Sequence, residues 1–381
     1  MKTGVSDEGK YLYIINTTDE PNNVILGHAS FAKEAGLTPV LVFPYREHAE
    51  KFDKFYGEFD TLRLNFVFKT TNSFVYALSI FKLFLFTTKS LFFKSNAKNI
   101  LAVDLTGAIA SLLLKVRGAN VIALVNDNFS ARYALAPFAF NILRFIEAVV
   151  YKVVCSCCIF PAESRYVLLG SPKLKSVKFV PNILHDSYTP KYLGNPSAKL
   201  KVLFCGWLAR SRGIELISEI LLMTDSNVEF LLVGTGDEAL VRELVGSGRV
   251  TYLEHVSRKE MLEIMSTVDI NIAFYNPTIL INRFALPQKV YDSVQVGCPL
   301  FINSEVDMSR DLMRHGACVT AEYFDVSAIS KQLNHFLANK SSLFGIADSM
   351  ALYRSKYVNF DQVRREAVEL YKSFIDAPPS K

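Results

Sequence analysis

The sequence predicts an α/β protein made of two doubly wound, Rossmann-like domains. Three observations predict it. Short Val/Ile/Leu-rich runs alternate with longer helical patterns along all 381 residues. The runs are continuous rather than alternating, as expected of parallel strands covered on both faces. The alternation is broken once, at PKYLGNPSAK (190–199), by two prolines and a glycine without apolar period, and then restarts. The predicted division is 1–189, a linker at 190–199, a second domain at 200–355, and a C-terminal helix at 356–381 that packs back on the first domain.

In the first half, strands are predicted at 11–15, 38–43, 99–103, 120–125, 153–160 and 176–180, with helices at 24–36, 73–93, 105–118, 132–152 and 161–169. In the second half, strands are predicted at 200–205, 228–233, 249–253, 269–274 and 299–302, with helices at 212–223, 236–246, 257–267 and 286–296. Ligands of such sheets bind beyond the carboxyl ends of the strands, so the residues that follow each strand carry the functional argument.

Lys plus Arg outnumber Asp plus Glu by 42 to 37, a net +5 that is small for this length, and no basic run is present. Nucleic acid is therefore not expected as a partner. The polar opening MKTGVSDEGK has no apolar signal-peptide core, which points to the cytoplasm. Cysteines stand at 155, 157, 158, 205, 298 and 318, four of them in apolar runs where a packed thiol is the simpler reading than a metal ligand. No metal is expected. The stretch 71–98 is rich in Phe and Leu, with Lys82, Lys89, Lys94 and Lys98 spaced along it, too interrupted by charge to span a bilayer comfortably. It reads either as a helix covering the first sheet or as one lying on an anionic membrane surface, peripheral to its inner face.

Four features of the second half carry chemistry. VLFCGWLARSRGIELI (202–217) places Gly206 after a strand and Arg212-Gly213 at a helix start, a setting suited to a diphosphate; a solvated surface arginine is its plainer reading. FLLVGTGDEALVREL (230–244) places Gly234 in a strand-to-helix turn, which is also a common structural turn. TYLEHVSRKEMLEIM (251–265) has a His255-Val256-Ser257 loop able to meet a base through its backbone, with Ser257 and Glu260 forming a capping box and His255 read as structural. NRFALPQKVYDSVQVGCPLFIN (282–303) starts a helix at Pro287, sets Lys289 and Asp292 on one face, and closes it at Gly297. That pair could meet a ribose, or be a plain intrahelical ion pair.

The order of these four features resembles the donor half of GT-B glycosyltransferases, in particular the large retaining family 4 group. The resemblance is strongest over 200–303; segments 100–129, 140–154 and 180–185 are similar to that family's acceptor domain and hinge entry. It implies two domains facing each other across a cleft, and transfer of a sugar from a UDP- or GDP-sugar to a saccharide or polyprenyl-linked acceptor of a cell-surface polysaccharide. No cofactor or metal is implied. Arg212 would hold the diphosphate. The Gly206-Trp207 backbone would lie near the distal phosphate, and Gly234 and Val256 would line the nucleotide. Asp292 would take the ribose. The loop with Asn282 would face the sugar, and Asp127 with Asn128 the reaction centre. This sequence departs from the family at Trp207, where a second cation is usual, at Phe284, where a glutamate eight residues before Asp292 is usual, and at Asn16-Thr17-Thr18, where glycines are usual. A sugar-nucleotide epimerase on the same fold and a non-catalytic nucleotide-binding relative are the rival readings.

Overall fold

The computed structural model describes residues 10–17, 22–45, 57–69, 73–92, 97–133, 135–183, 189–254 and 256–375; Thr18, Lys94 and His255 lie outside them. The chain divides into two compact units, residues 1–184 with 360–381, and residues 185–359.

The first unit holds a seven-stranded parallel sheet of order β3-β2-β1-β4-β5-β6-β7. Its strands are β1 (Tyr11–Ile15), β2 (Thr38–Tyr45), β3 (Asp60–Val67), β4 (Asn99–Val103), β5 (Asn120–Leu124), β6 (Cys157–Phe160) and β7 (Val177–Phe179). One face is covered by α1 (Asn23–Glu34) and α15 (Phe360–Ile375), whose Ala367, Val368 and Tyr371 enter the same core as Ile25 and Phe31. The other face carries α2 (Ser73–Thr87), continued by a wider turn at Thr88–Phe92, then α3 (Asp104–Ala110) and α5 (Pro137–Val154). Short helices α4 (Leu112–Val116) and α6 (Glu163–Leu168) complete the unit.

The central strands run as their apolar composition predicts. The expected strand at 153–160 is shorter, because α5 continues to Val154 on the apolar period of VVYKVV and pairing starts at Cys157. Strand β3 was not expected: DTLRLNFV alternates polar and apolar residues, as a half-buried edge strand does, and a search for continuous apolar runs passes over it.

The second unit holds a six-stranded parallel sheet of order β10-β9-β8-β11-β12-β13. The strands are β8 (Leu200–Leu208), β9 (Val228–Gly236), β10 (Val250–Leu253), β11 (Ile270–Ala273), β12 (Leu300–Asn303) and the short β13 (Val319–Ala321), which was not expected either. Its helices are α7 (Leu216–Met223), α8 (Glu238–Val245), α9 (Arg258–Thr267), α10 (Leu280–Arg283), α11 (Gln288–Val296), α12 (Asp307–Arg314), α13 (Val326–Ala338) and α14 (Ser341–Tyr357).

The segment read as a linker, 190–199, is fastened to this unit. Tyr192 Oη donates to the Asp269 carbonyl (2.9 Å), and Asn195 Nδ2 to the Asp269 carboxylate (3.2 Å). Lys340 Nζ pairs with that carboxylate (2.9 Å) and donates to the carbonyls of Asn195, Ser197 and Lys199. One buried aspartate and one lysine thus supply the pairing that a segment without regular structure still needs.

The C-terminal helix is tied to the first unit by a buried hydrogen bond, His28 Nδ1 to Tyr371 Oη (2.8 Å). Burial lowers the His28 pKa from 6.5 to about 4. The unfolded chain therefore binds the proton first, so stability is full above pH 6.5 and falls as pH drops towards 4. The loss should reach about 2 kcal/mol by pH 5. Urea unfolding of the wild type and His28→Gln at pH 7 and pH 5 checks it: the variant should lose that part of the slope, and equal slopes would refute the assignment.

Candidate functional site

In the second sheet the strand order reverses between β8 and β11, and ligands of open α/β sheets bind at such a switch point, beyond the carboxyl ends. Several of the predicted residues lie at or beside these strand ends. Gly206 and Gly234 are paired in register across β8 and β9. A side chain at Gly234 would put its Cβ 1.9 Å from the Gly206 carbonyl oxygen, and its φ is +139°. Gly234 is thus required by strand packing in its own right. Trp207, the next residue of β8 after Gly206, is 45% exposed.

Arg212 ends a short 3₁₀ turn, Arg210–Arg212, rather than opening a helix; α7 starts at Leu216. The correction matters chemically. The amides of Arg212 and Gly213 donate to Ala209 and Arg210 carbonyls inside the turn, so less backbone N–H is available to an anion than a helix start would offer. Gly213 has φ +89°, and a Cβ there would lie 2.7 Å from Phe274 Cβ, so only glycine lets the loop close on β11. The guanidinium stacks on the Tyr275 ring, 4.8 Å from its centroid, while Nη1 donates to Asn282 Oδ1 (2.8 Å). Asn282 is itself buried and donates to the carbonyls of Ser211 and Asn276 (3.1 and 2.9 Å). It orients the arginine and locks the loop.

Lys289 lies in the first turn of α11, with its Nζ enclosed and without a hydrogen-bond partner among the described residues. The ammonium sits over Phe204 (4.7 Å to the centroid) and Tyr275 (5.7 Å). Its pKa is lowered from 10.5 to about 8, first by burial, against a raising effect of Cys205 and with a further lowering by Arg212. Two cations therefore repel each other around Tyr275. The backbone of Tyr275 is held by Asn303, whose Oδ1 accepts its N–H (2.8 Å) and whose Nδ2 donates to its carbonyl (3.1 Å).

The Lys289–Asp292 pair expected on one helix face does not form. Asp292 accepts from Arg258 Nη1 (2.7 Å) and Gln288 Nε2 (2.9 Å), and Arg258 also donates to Gln295 (3.1 Å). A guanidinium with several donors out-competes an ammonium for a buried carboxylate, which leaves Lys289 aimed at the aromatic wall. Arg258 was missed by sequence reasoning, as was Tyr275. Arg258 opens α9 directly after the capping box of Ser257 and Glu260, which is formed (Ser257 N to Glu260 Oε2, 2.7 Å). Val256, the residue before the cap, packs on the same core as Met261.

In the first unit Asp127 follows β5 and pairs with Arg165 (3.3 Å) and Arg132 (3.6 Å). Asn128 is buried and donates to the Arg165 carbonyl (3.2 Å). Next to them stands Asp104, a buried residue at φ +54° at the end of β4. It accepts the amides of Asn126 (2.9 Å) and Asp127 (3.1 Å) and pairs with Arg132. Burial raises its pKa, against the lowering effect of Arg132. An aspartate directly after an apolar strand was the available signal for Asp104, and sequence reasoning did not use it.

No family profile and no curated protein matches the chain. Solved structures do. Sucrose-phosphate synthase from Thermosynechococcus elongatus superposes with TM-score 0.72 at 14% identity, over 97% of this chain and 100% of that one. Anabaena Alr3699/HepE in complex with UDP and glucose gives 0.68 at 13% identity, over 96% and 100%. WaaG, a glycosyltransferase involved in lipopolysaccharide biosynthesis, gives 0.64 at 11% identity, over 95% and 99%. Identities this low establish the fold: two parallel-sheet α/β domains of GT-B type.

An enclosed ammonium without a partner costs stability that an apolar side chain of similar length would restore. Lys289→Met should raise the stability of the ligand-free protein at pH 7, by on the order of 2 kcal/mol. Denaturant melts check this; a clearly less stable variant would show that the ammonium is satisfied.

Proposed function

We propose that the chain is a glycosyltransferase that takes a sugar from a nucleoside diphosphate-sugar and passes it to a saccharide or lipid-linked saccharide. The single observation that carries this reading is the pair of mutually repelling cations, Arg212 and Lys289, at the switch point of the second sheet. A pyrophosphate lying against Tyr275 would relieve the repulsion and give Lys289 its missing acceptor. The complex of the similar HepE structure with UDP-glucose supports that choice of ligand.

In this reading the Gly206-Trp207 backbone borders the distal phosphate, the Val256 loop meets the base, and Asp292, held by Arg258, accepts from the ribose. Asp127, held by Arg132 and Arg165, is assigned to the reaction centre. As the glycosidic bond stretches, negative charge grows on the leaving diphosphate, and two preorganised cations in a poorly hydrated site stabilise it without requiring a metal. The departing phosphate oxygen then takes the acceptor hydroxyl's proton on the same face, so configuration is retained. A second reading is nucleotide binding without transfer: Phe284 stands where the resembling family carries a glutamate.

A thermal-shift panel of UDP, GDP, ADP and their sugars, followed by assay of sugar release with and without acceptor, separates these readings. A donor at about 100 times its Kd should stabilise by about 2.7 kcal/mol. No shift with any nucleoside diphosphate would sink both readings; binding without release favours the second, and conversion of the sugar without acceptor an epimerase. Arg212→Ala should cost about 2–4 kcal/mol of transition-state stabilisation, and kcat/KM within twofold of wild type would remove Arg212 from the assignment.

Lys289 adds a pH dependence. Its pKa is about 8 in the free protein and must rise when an anion binds. Affinity for UDP should be flat below pH 8 and fall about tenfold per pH unit above it, until the pKa of the complex is reached. Titration calorimetry from pH 7 to pH 9.5 checks this, with Lys289→Met expected to be weak and flat throughout.

A further inference from the structure

Helix α5 presents an outward stripe that the fold does not bury. Phe138, Ile142, Phe145, Ile146, Val149 and Val153 recur at the spacing of one helical face, and Phe138 and Phe145 are 78% and 69% exposed. On α2 the same holds for Leu78, Phe81 and Leu85, with Phe81 55% exposed. Both helices pack on one side of the first sheet and share its core, through Leu83 of α2 and Tyr151 and Val154 of α5. Tyr76 of α2 stacks on Phe129, beside the start of α5 (centroids 6.0 Å apart). The segment Val75–Phe92 is apolar enough to cross a membrane by composition, yet only 28% of it is buried in the fold. Ser79 fastens it to the domain through Lys69, donating to its carbonyl and accepting its amide (both 3.0 Å).

The charge on these helices has one sign. Lys82 and Lys89 are exposed on α2 and the turn that follows it, and Lys152 is exposed on α5, where Arg144 lies over Phe140 (5.3 Å). The one acid among their described residues, Glu147, is buried and accepts from the amides of Phe129 and Ser130 (2.9 and 3.0 Å). We infer that this two-helix face docks the first unit onto an anionic lipid bilayer. The phenylalanines would enter the headgroup–acyl boundary, and the lysines would reach the phosphates from their long stems. A second copy of the chain fits poorly, because it would bring cations against cations in a protein of net charge +5. The inference widens the expectation for 71–98 to a second helix, and it does not depend on the donor site.

Co-sedimentation of the full chain with phosphatidylcholine vesicles, with and without phosphatidylglycerol, tests it. The wild type should pellet with the anionic vesicles and at least tenfold more weakly with phosphatidylcholine alone. K82Q/K89Q should lose about 25-fold in binding to the anionic vesicles, about fivefold for each cation. F138S/F145S should lose binding altogether, while L222S, at an exposed apolar position of the second unit, should bind as wild type. Wild-type protein that stays in solution with anionic vesicles, or F138S/F145S that still pellets, overturns the proposal. So does a wild-type dimer in light scattering that F138S/F145S converts to monomer without any vesicle binding, which would make a second copy the occupant.

Discussion

Two like charges held around one aromatic ring set the terms for the second unit. An enclosed ammonium is costly unless paired, and a neighbouring guanidinium raises that cost. The fold nevertheless fixes both groups. Asn303 clamps the Tyr275 backbone, Asn282 clamps Arg212, and Asn271 Nδ2 donates to the Lys289 carbonyl (3.3 Å) and to Ser293 Oγ (2.8 Å), holding the first turns of α11. Three buried asparagines spend their hydrogen bonds on backbone, on one cation and on the side chains of Ser293 and Glu305. Strain of this kind persists where the surroundings over-determine it.

The first unit shows the opposite arrangement at the ends of β4 and β5. There Asp104 and Asp127 face Arg132 and Arg165, so acids and bases balance within the cluster. Glu147 adds a buried carboxylate whose charge is met by two amides and by the Ser130 hydroxyl (2.8 Å). A balanced cluster organises a loop without calling for a charged ligand, whereas an unbalanced one calls for its counter-ion. The unbalanced cluster of the second unit is the one that the proposed reading gives to the diphosphate.

Much of this was legible from residue order alone. The central strands are continuous apolar runs, and 99–103 was read to the residue. The capping box at Ser257 was visible because both partners lie within one turn. Edge strand β3 was not, because half-burial writes a weaker pattern than full burial. The Arg258–Asp292 pair was not either, since 34 positions separate its members and only the packing of α9 against α11 joins them. For the same reason Lys289 was paired with its helical neighbour: spacing shows which side chains could meet, and the tertiary competitor decides which do. The segment 190–199 looked like a linker for want of apolar period, and its order comes from Asp269 and Lys340, far along the chain.

The departure at Trp207 can be argued on the same footing. Trp207 lies in the last residues of β8, at a position where a second cation is usual in the resembling family. Lys289 reaches the same strand end from α11: its Cε would lie 3.8 Å from a Cβ built on Gly206. The glycine leaves the space through which the methylene stem passes, and Phe204 and Tyr275 give the ammonium an electron-rich wall in place of an acid. Lys289 also differs from Arg212 in that its pKa is lowered to about 8, whereas a guanidinium stays charged. Trp207 itself is left half-exposed at the end of β8, a flat apolar surface where the resemblance leads one to expect a charge.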